Sequence, residues 1–469
     1  MTSQIAPARS LTRSGLAVLL VAFGPVNFTF GSVNVLADDI GRDLGTGSAG
    51  EQLVLSAYTA AFAASLVIAG RLGDRYGRRR MLVVGGLGVA ALSIAAAFVT
   101  SLLALVVLRV LLGVAAGLLT PQVLSTIQTT AEGPTRRTGL MLFAAMSGVS
   151  TVLGQVVAGG IAAAAPADLG WRIVQVVTGA IALVGVAGLR AVPESHSPEP
   201  LAMDVRGAVT IGASLLLVIV PLTIGPGEGW PVWSIVAIVV GVAALLVFWQ
   251  LQRRSERQSV TPVVPPSVLR IRVVRRGLVM TLLFFATYGA FLYELSALAQ
   301  ARFGMGALGA SLLVLGFGAA FVATSVLLPV LLSAAGSRTM MFAALGQAAT
   351  LAGVGILSFA GRDDLWSLQL VLVPLGVAQA MMFGPLLHTV LSRAPHRAAG
   401  AASGLFTTVQ QVGLSLGVAL LGGAFWQIAG DDSAAMDTAL GTVFAVHTLC
   451  ALAFAALART LERRPPPTA

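Results

Sequence analysis

Charged side chains are too few in this chain to cover it with a water-facing surface. Only 10% of the 469 residues are charged and 57% are hydrophobic, whereas a soluble globular chain carries about 25% charged residues. This composition excludes a soluble enzyme, a disordered tail protein and a nucleic-acid-binding protein. A helix that crosses a bilayer needs about 20 mainly apolar residues, and the sequence contains fourteen such runs, at approximately 15–37, 52–70, 81–99, 102–124, 138–164, 172–192, 207–224, 232–251, 277–300, 307–333, 340–360, 366–391, 399–428 and 438–458.

The distribution of arginine predicts the direction in which the runs cross the membrane. All 29 basic residues are arginine, and membrane proteins concentrate basic residues in cytoplasmic loops. With the N-terminus inside, 24 arginines fall on the inner side and 4 on the outer side, while Arg109 lies within a run. This asymmetry requires an even number of spans and places both termini in the cytoplasm. Twelve spans are the alternative to fourteen, because the seventh and eighth runs form the weakest pair.

Two similar segments indicate an internal duplication. Leu119-Thr-Pro121 with the following Arg136-Arg137 is echoed by Phe383-Gly-Pro385 with the following Arg397. We therefore predict an all-α integral membrane protein with two six-helix halves and two inserted helices, an arrangement that suits a transporter with its substrate site between the halves. The predicted parts are an N-terminal half at 1–192, two inserted helices at 193–252, a basic cytoplasmic linker at 253–276, a C-terminal half at 277–458 and a cytoplasmic tail at 459–469.

Other chemistry is not indicated by the sequence. A phosphate-binding GxxxxGK[ST] loop would need a lysine, and the chain has none, so direct use of ATP is excluded. The single Cys450 allows no internal disulfide. We also find no spacing typical of a metal site and no nucleophile constellation. The chain is therefore predicted to be no enzyme and to need no metal or cofactor.

The loop between the second and third runs carries the most specific motif. Its glycines allow a tight turn and close helix approach, and its acidic side chain can pair with a nearby arginine. The loop reads Gly70-Arg71-Leu72-Gly73-Asp74-Arg75-Tyr76-Gly77-Arg78-Arg79-Arg80. This string resembles the hallmark loop of the major facilitator superfamily. The resemblance implies that Gly70, Gly73, Asp74, Arg75, Gly77 and Arg78 form a latch between the two halves during alternating access.

Two further segments resemble the fourteen-span drug:proton antiporters of that superfamily. The fourth run contains Leu108-Arg109-Val110 followed by Gly113 and Gly117, and the thirteenth contains Ser403-Gly404 followed by Gln410-Gln411. The resemblance assigns Arg109 to proton transfer. A charge at the centre of a bilayer costs about 2.5–3.5 kcal/mol on insertion scales, so Arg109 should face the bundle interior and have a partner. A structural role, in which Arg109 binds backbone carbonyls, stays open.

Two departures from the family pattern concern proton coupling. The fifth-run signature, Gly-Pro-x-x-Gly-Gly in the family, reads Gly154-Gln155-Val-Val-Ala-Gly159-Gly160 here, so the helix lacks the proline and retains flexibility at its last two glycines. Family members usually carry an aspartate five residues before an Asn-Val pair in the first run. Counting back from Asn34-Val35 leads to Thr29, so the usual first-span carboxylate is absent.

Few ionisable side chains are left to carry a proton. Glu294 is the only carboxylate well within an apolar run and lies 17 residues after Gly277, about 25 Å along a helix. It has either a functional role or a position at the outer surface. His388 and His447 also lie within runs, and Asp38 and Asp39 lie near the outer end of the first. Asp38 and His388 are further candidates for proton coupling, although Asp38 and Asp39 are more typical of a solvated helix end.

These observations together predict a secondary transporter in the inner membrane of a bacterium. It would export small amphiphilic organic compounds such as antibiotics, by alternating access coupled to proton influx. Its partners would be that substrate, protons and the lipid bilayer but no nucleic acid, and it would function as a monomer. A uniporter or metabolite importer without proton antiport is one alternative, and a membrane sensor or scaffold that transports nothing is another.

Overall fold

The fold of this chain is a bundle of helices. A computed structural model describes residues 10–196, 204–225, 228–257, 262, 264, 266–301, 303–335, 338–360, 365–394, 399–429 and 433–462. Within these ranges the helices are α1 (Arg13–Asp43), α2 (Ser48–Tyr76), α3 (Arg78–Ala96), α4 (Leu102–Thr130), α5 (Gly133–Ala164), α6 (Ala167–Gly188), α7 (Val205–Ile224), α8 (Val232–Arg257), α9 (Pro266–Arg270), α10 (Arg272–Ala301), α11 (Ala307–Leu313), α12 (Leu315–Ala335), α13 (Thr339–Phe359), α14 (Leu365–Ser392), α15 (Ala399–Gly417), α16 (Gly423–Ala429) and α17 (Ser433–Glu462).

Every predicted apolar run coincides with one of these helices or with a helix and its continuation. Leu189–Ala191 forms a short 3₁₀ turn after α6, and Val418–Gly422 forms a π-helical segment between α15 and α16. The run at 307–333 is divided into α11 and α12. Helix starts follow the expected chemistry, because the side chains of Thr12, Ser101 and Asp204 each accept a hydrogen bond from a backbone N–H in the first turn.

The number of spans is compatible with the predicted fourteen. Among the helices that the structure describes, 12 are long and apolar enough to cross a bilayer. Helix α2 is bent by 50° between Leu53–Leu66 and Ile68–Tyr76, and it becomes the thirteenth if it is counted as one span. The apolar part of α7, Val209–Leu222, is shorter than the others. Fourteen spans therefore stay a prediction.

Helix packing repeats between the two halves. In the N-terminal half, α1 packs against α5 and α6, α3 packs against α4 and α6, and α2 packs against α4. In the C-terminal half, α10 packs against α15 and α17, α13 against α14 and α17, and α12 against α14. Five helix pairs thus have counterparts in the other half, which is what a duplicated bundle requires.

The two inserted helices lie at the side of the bundle. Helix α7 packs against α2 of the N-terminal half and α15 of the C-terminal half, and α8 packs against α7. Most of α8 faces outward, since only 17% of the most apolar part of this helix is buried inside the protein. The residues at which the halves, inserted helices, linker and tail begin and end stay predictions, because packing does not define those boundaries.

The buried cores differ between the two ends of the bundle. We call the end that carries the loop at 70–80 the arginine-rich end. There, one continuous cluster joins both halves and includes Leu16 and Leu140 with Met280, Leu387 and Leu391. At the opposite end, each half has a separate cluster. The halves are therefore held together mainly at the arginine-rich end.

Helices α2 and α4 approach each other closely because α4 has glycine at the contact. A Cβ atom on Gly113 would overlap the carbonyl oxygen of Tyr58, and one on Gly117 would overlap the Ser65 hydroxyl. Small residues of this kind permit the close helix packing that stabilises proteins in lipid. Gly113 is part of the fourth-run motif, so this part of the motif has a packing role.

We predict that Gly113→Leu destabilises the protein, whereas Gly346→Leu does not. A leucine at residue 113 must displace the α2 backbone, and overpacking of this kind costs about 1–3 kcal/mol. Gly346 lies on an exposed face of α13, and no atom lies within 4 Å of the Cβ it would gain. Thermal unfolding in detergent, followed by size-exclusion chromatography, measures both. Equal melting temperatures for the two variants would contradict the α2–α4 packing.

Candidate functional site

A small cavity lies between the two halves near the middle of the bundle. The N-terminal half contributes residues from α1 and α5, and the C-terminal half contributes residues from α10, α12, α14 and α15. The lining residues are Asn27, Phe30, Ser147, Gly148, Thr151, Phe284, Phe285, Tyr288, Phe321, Phe383, Gln410 and Leu414. The space open to the centres of water-sized molecules is about 30 Å³, which suffices for about two waters. An organic substrate therefore needs the halves to move apart.

The cavity is lined by aromatic rings and uncharged polar groups. The Phe383 ring lies 5.7 Å from the ring of Phe284 and 5.1 Å from that of Phe285, and Tyr288 stacks on Phe284 at 6.2 Å. Asn27 and Gln410 provide amides, and the Ser147 hydroxyl lies 3.2 Å from Asn27 Oδ1. Among the described residues, the lining includes no Asp, Glu, His or Arg side chain. Such a surface can bind an aromatic, amphiphilic molecule, but it offers no ionic partner.

The cavity is closed at the arginine-rich end by contacts between the halves. Gln128 of α4 is buried and donates from Nε2 to the carbonyl oxygen of Leu391 at 2.5 Å. Its Oε1 lies 3.4 Å from the hydroxyl of Ser403 on α15. Further along α14, Gly384 lies against Leu328 and Met141. These contacts join the two halves on the arginine-rich side of the cavity.

Contacts between the halves also close the cavity towards the opposite end. The Ser311 hydroxyl donates to the carbonyl oxygen of Gln155 at 3.1 Å, and Gly318 of α12 packs against the Val152 side chain. Among the described residues no buried apolar cluster spans both halves at this end. The structure is thus a closed state whose shared apolar cluster lies at the arginine-rich end.

Arg109 is buried beside the cavity wall, and its contacts are all uncharged. The residue is only 1% exposed. Nε donates to the carbonyl oxygen of Val54 at 3.1 Å, Nη1 donates to the Thr29 hydroxyl at 3.2 Å, and the guanidinium lies 4.8 Å from the Tyr58 ring centre. The prediction of an interior position with a partner agrees with this geometry. Thr29, the residue at the position of the usual carboxylate, is therefore the side chain that faces Arg109.

Glu294 does not reach the outer surface, so that alternative is wrong. Both Glu294 and His447 are 0% exposed, and Glu294 Oε2 lies 2.9 Å from His447 Nε2. The sequence identified both as ionisable residues within apolar runs but left them unpaired. Helix α10 packs directly against α17, and this contact brings together residues that are 153 positions apart. Helix length alone placed Glu294 near the outer end and could not reveal the partner.

The remaining proton candidates lie away from the cavity. Asp38 and Asp39 both pair with Arg42, at 2.6 and 2.9 Å, and the Asp38 side chain is 64% exposed. This is the geometry of a solvated helix end. His388 is half-buried on α14, where Arg136 and Arg137 are its charged neighbours. None of these side chains lines the cavity.

The loop at 70–80 contains a buried ion pair. Arg78 Nη2 and Asp74 Oδ1 are 2.7 Å apart, and the two side chains are 5% and 1% exposed. Arg78 Nη1 also donates to the hydroxyls of Thr129 and Ser195 at 3.2 Å each. Gly73 lies so close to Gln122 of α4 that a Cβ atom would overlap the amide. The ion pair therefore joins α2 and α3 to α4 and to the segment after α6.

Neighbouring contacts extend this attachment to the linker. Gly77 has a φ of 101°, a conformation that glycine adopts readily, and the backbone N–H of Arg79 donates to Glu194 Oε1 at 3.0 Å. Arg71 donates to the carbonyl oxygen of Pro262 in the linker. Arg75 is exposed and lies over the ring of Tyr76. Gly70 is buried at the same helix end.

The fifth-run segment has a packing role in the structure. Helix α5 is continuous from Gly133 to Ala164, as expected without the proline. A Cβ atom on Gly154 would overlap the carbonyl oxygen of Phe28, so this glycine permits the close contact with α1. The backbone carbonyl of Gln155 accepts the hydrogen bond from Ser311 on α11. Gly159 is buried. A Cβ atom added to Gly160 would have no other atom within 4 Å.

These features define a helical membrane transporter, with two duplicated halves around a closed central cavity. The sequence profile of the Major Facilitator Superfamily matches residues 19–207 and again residues 205–418. The chain belongs to this superfamily, and it is a drug efflux transporter of that fold.

The names of proteins with similar sequences agree with this assignment. The chain is 31% identical to the probable actinorhodin transporter of Streptomyces coelicolor, over 86% of this chain and 70% of the relative. It is 33% identical to the puromycin resistance protein pur8 of Streptomyces alboniger, over 87% and 80%. The tetracenomycin C resistance and export protein of Streptomyces glaucescens is 28% identical, over 86% and 74%.

Solved structures share the fold. The proton:xylose symporter XylE superposes with a TM-score of 0.65 at 16% identity, covering 93% of this chain and 94% of the symporter. The peptide transporter POT superposes with a TM-score of 0.67 at 19% identity, covering 98% of each chain. At this identity the likeness concerns the fold alone.

We predict that Asp74→Asn slows transport and lowers stability, and that the double variant Asp74→Asn/Arg78→Gln recovers part of the stability. Removing one partner leaves a buried charge without compensation, which costs about 3–5 kcal/mol. The double variant removes that uncompensated charge. Thermal unfolding in detergent and efflux from cells at matched expression measure the two effects. Arg80→Gln, an exposed change in the same loop, should alter neither, and additive losses of stability in the double variant would contradict the ion pair.

Proposed function

We propose that this protein exports aromatic amphiphilic compounds from a bacterial cell by alternating access, driven by proton influx. The observation that carries the proposal is the lining of the central cavity. Its rings, Phe30, Phe284, Phe285, Tyr288, Phe321 and Phe383, stand beside the amides of Asn27 and Gln410. Sites for organic ligands are typically apolar and aromatic with a few polar groups that fix orientation.

The relatives support an antibiotic-like substrate. Their names link them to the transport, export or resistance of actinorhodin, puromycin and tetracenomycin C. We propose a substrate of this general class. Uncharged compounds suit the cavity better than permanent cations, because the lining offers no carboxylate.

The orientation of the protein follows from its arginines. The end that carries Arg71, Arg78, Arg136 and Arg137 faces the cytoplasm, so both termini lie inside and the protein is a multi-pass component of the bacterial inner membrane. The contacts of Asp74 and Arg78 then lie at the cytoplasmic side, where they join α2 and α3 to α4. We propose that these contacts change when the cavity opens inward. All of the site lies within one chain, which supports function as a monomer.

A uniporter is the second candidate, because Thr29 occupies the position that faces Arg109. A hydroxyl cannot titrate near neutral pH, so this pair cannot bind and release a proton as a carboxylate would. Proton coupling then depends on another group among the candidates Glu294, Arg109, Asp38 and His388. A sensor or scaffold that moves nothing has no need of a central cavity that two halves enclose.

Everted membrane vesicles distinguish these candidates. With an acidic lumen, addition of puromycin or of an uncharged aromatic quinone should release protons from the lumen as the compound enters, because antiport exchanges the two. A lumenal pH dye measures the release, and vesicles from cells without the protein are the control. Uptake without proton release would indicate a uniporter. If neither compound nor any other tested aromatic compound moved, export itself would be contradicted.

We predict that Phe383→Ala raises the half-saturating concentration of an aromatic substrate about tenfold, which corresponds to about 1.4 kcal/mol. The change removes a ring that contacts both Phe284 and Phe285 and faces the cavity. Phe342→Ala is the matched control, because that ring is 57% exposed on α13 and faces lipid. Concentration dependence of uptake into everted vesicles measures both, and equal values for the two variants would place the substrate elsewhere.

A further inference from the structure

Glu294 and His447 form a hydrogen-bonded pair that the surrounding protein shields completely from water. Their nearest atoms, Glu294 Oε2 and His447 Nε2, are 2.9 Å apart, and both residues are 0% exposed. The other polar atoms, Glu294 Oε1 and His447 Nδ1, are buried without a hydrogen-bond partner. Around them lies an apolar cluster that includes Phe291, Leu295 and Phe444. A buried polar atom without a partner costs free energy, so this pair is an unusual element in the C-terminal half.

Electrostatics limits the number of protons that the closed pair can hold. With no proton, the pair is a lone carboxylate beside neutral imidazole, and with two it is a lone imidazolium beside a carboxylic acid. Either state buries a net charge, which is expensive in an apolar environment. One shared proton makes the pair neutral overall, and the 2.9 Å contact is then a hydrogen bond within a neutral unit. The closed state therefore favours one proton on the pair.

The pair lies apart from the substrate cavity but is connected to it by packed rings. Tyr288 lines the cavity, and its ring lies 6.3 Å from Phe317. From there the ring centres follow at 5.5 Å to Phe291, 6.3 Å to Phe444 and 5.4 Å to His447. A substrate that moves the Tyr288 ring would displace this chain of contacts. The two sites can thus influence each other without sharing a side chain.

A π-helical segment lies next to the pair. Val418–Gly422 packs against α10, and Gly422 is so close to Tyr293 that a Cβ atom would meet its ring at 2.7 Å. Tyr293 is the neighbour of Glu294 in sequence. Single-turn π-helical insertions are frequent at functional sites, since they can change the register of a helix. A shift of this segment would loosen the packing of α10 at Glu294 and open a route for water.

We propose that Glu294 and His447 are the proton-binding site of this transporter, separate from the substrate cavity. The pair takes up one proton when water reaches it from outside and holds that proton as a neutral unit while the bundle is closed. It releases the proton when water reaches it from the cytoplasmic side. The substrate-loaded bundle then closes and returns outward without the proton, and substrate binding offsets the cost of the unprotonated pair. This inference rests on the proposed function, because a uniporter needs no such site.

Other titratable groups near the pair are few. Helix α10 packs against α9, α11, α14, α15, α17 and the π-helical segment, and α17 packs against α13 and α16. Besides the pair, the described parts of these elements carry Tyr288, Tyr293, Asp437 and Cys450, and also His388, arginines and Glu462 towards the arginine-rich ends. The Tyr293 hydroxyl accepts a hydrogen bond from Trp426 Nε1 at 3.1 Å. The two nearest carriers of an exchangeable proton are therefore Glu294 and His447 themselves.

The test uses the full-length protein reconstituted in liposomes. Glu294→Gln keeps the shape of the side chain and a hydrogen bond to His447 but cannot titrate. We expect it to abolish puromycin-driven proton movement, while exchange of labelled puromycin across the membrane at equal pH continues within about twofold of the wild-type rate. Tyr293→Phe is the matched control on the same helix and should leave both rates unchanged.

His447→Gln tests the second member of the pair. With a neutral amide in its place, only the Glu294 carboxyl group can hold the proton, because glutamine offers no second site. We therefore expect the pH profile of coupled transport to change in shape or midpoint, whereas a purely structural role would lower the rate equally at every pH. Should Glu294→Gln not give monodisperse protein, His447→Gln and Glu294→Asp, which keeps the carboxyl group, decide the matter by the same profiles.

A readout without substrate separates this inference from the proposed function. Infrared difference spectra between acidic and alkaline buffer should contain a band from a protonated carboxyl group that Glu294→Gln removes and Tyr293→Phe retains. Proton movement at the wild-type rate in Glu294→Gln, or a carboxyl band that this variant leaves intact, would overturn the inference. If the wild type shows the band but moves no puromycin or quinone, the proposed export fails and the proton-binding pair stands.

Discussion

One buried cluster at the arginine-rich end determines the geometry of everything else in the molecule. It contains residues from both halves, including Leu140 and Leu387, and no comparable cluster joins the halves at the opposite end. The cavity is lined in part by this cluster, through Phe284, Phe285, Phe321 and Phe383, and is small because the halves converge there. The buried pair of Asp74 and Arg78 lies at the same end and joins α2 and α3 to α4. A conformational change that opens the cavity towards this end must therefore disrupt the cluster.

Buried charged side chains in this protein are stabilised in two different ways. The pair Asp74–Arg78 and the pair Glu294–His447 each combine an acid with a base, so each can be neutral overall. Arg109 is stabilised by a carbonyl oxygen, a hydroxyl and an aromatic ring instead. An arginine keeps its charge under nearly all conditions, so its contacts with Val54, Thr29 and Tyr58 suit a permanent structural cation. This arrangement suits the structural interpretation of Arg109 that the sequence left open, and the assignment of Arg109 to proton transfer stays a prediction.

The sequence predicted the fold well and the site only in part. Every apolar run became helix, because a bilayer leaves the backbone no other way to satisfy its hydrogen bonds. Glu294 and His447 were recognisable as ionisable residues in apolar runs, but their contact depends on the packing of α10 against α17. The rings of the cavity, such as Phe284 and Phe383, were not recognised, because a helix that is apolar on all sides does not reveal which face points inward. The bounds of the inserted helices and linker are likewise not determined by periodicity.

The distance between the substrate cavity and the proton pair has a consequence for specificity. When one carboxylate binds both proton and substrate, the two compete directly, and a cationic substrate is favoured. In our proposal the two sites are separate: the described lining of the cavity has no charged side chain, so the substrate would interact with rings and amides and the proton with Glu294 and His447. Coupling must then pass through the packing between Tyr288 and His447 and through the equilibrium between closed and open states. A transporter built in this way can accept substrates of varied shape without losing its proton site, since changes in the cavity rings leave the buried pair in place.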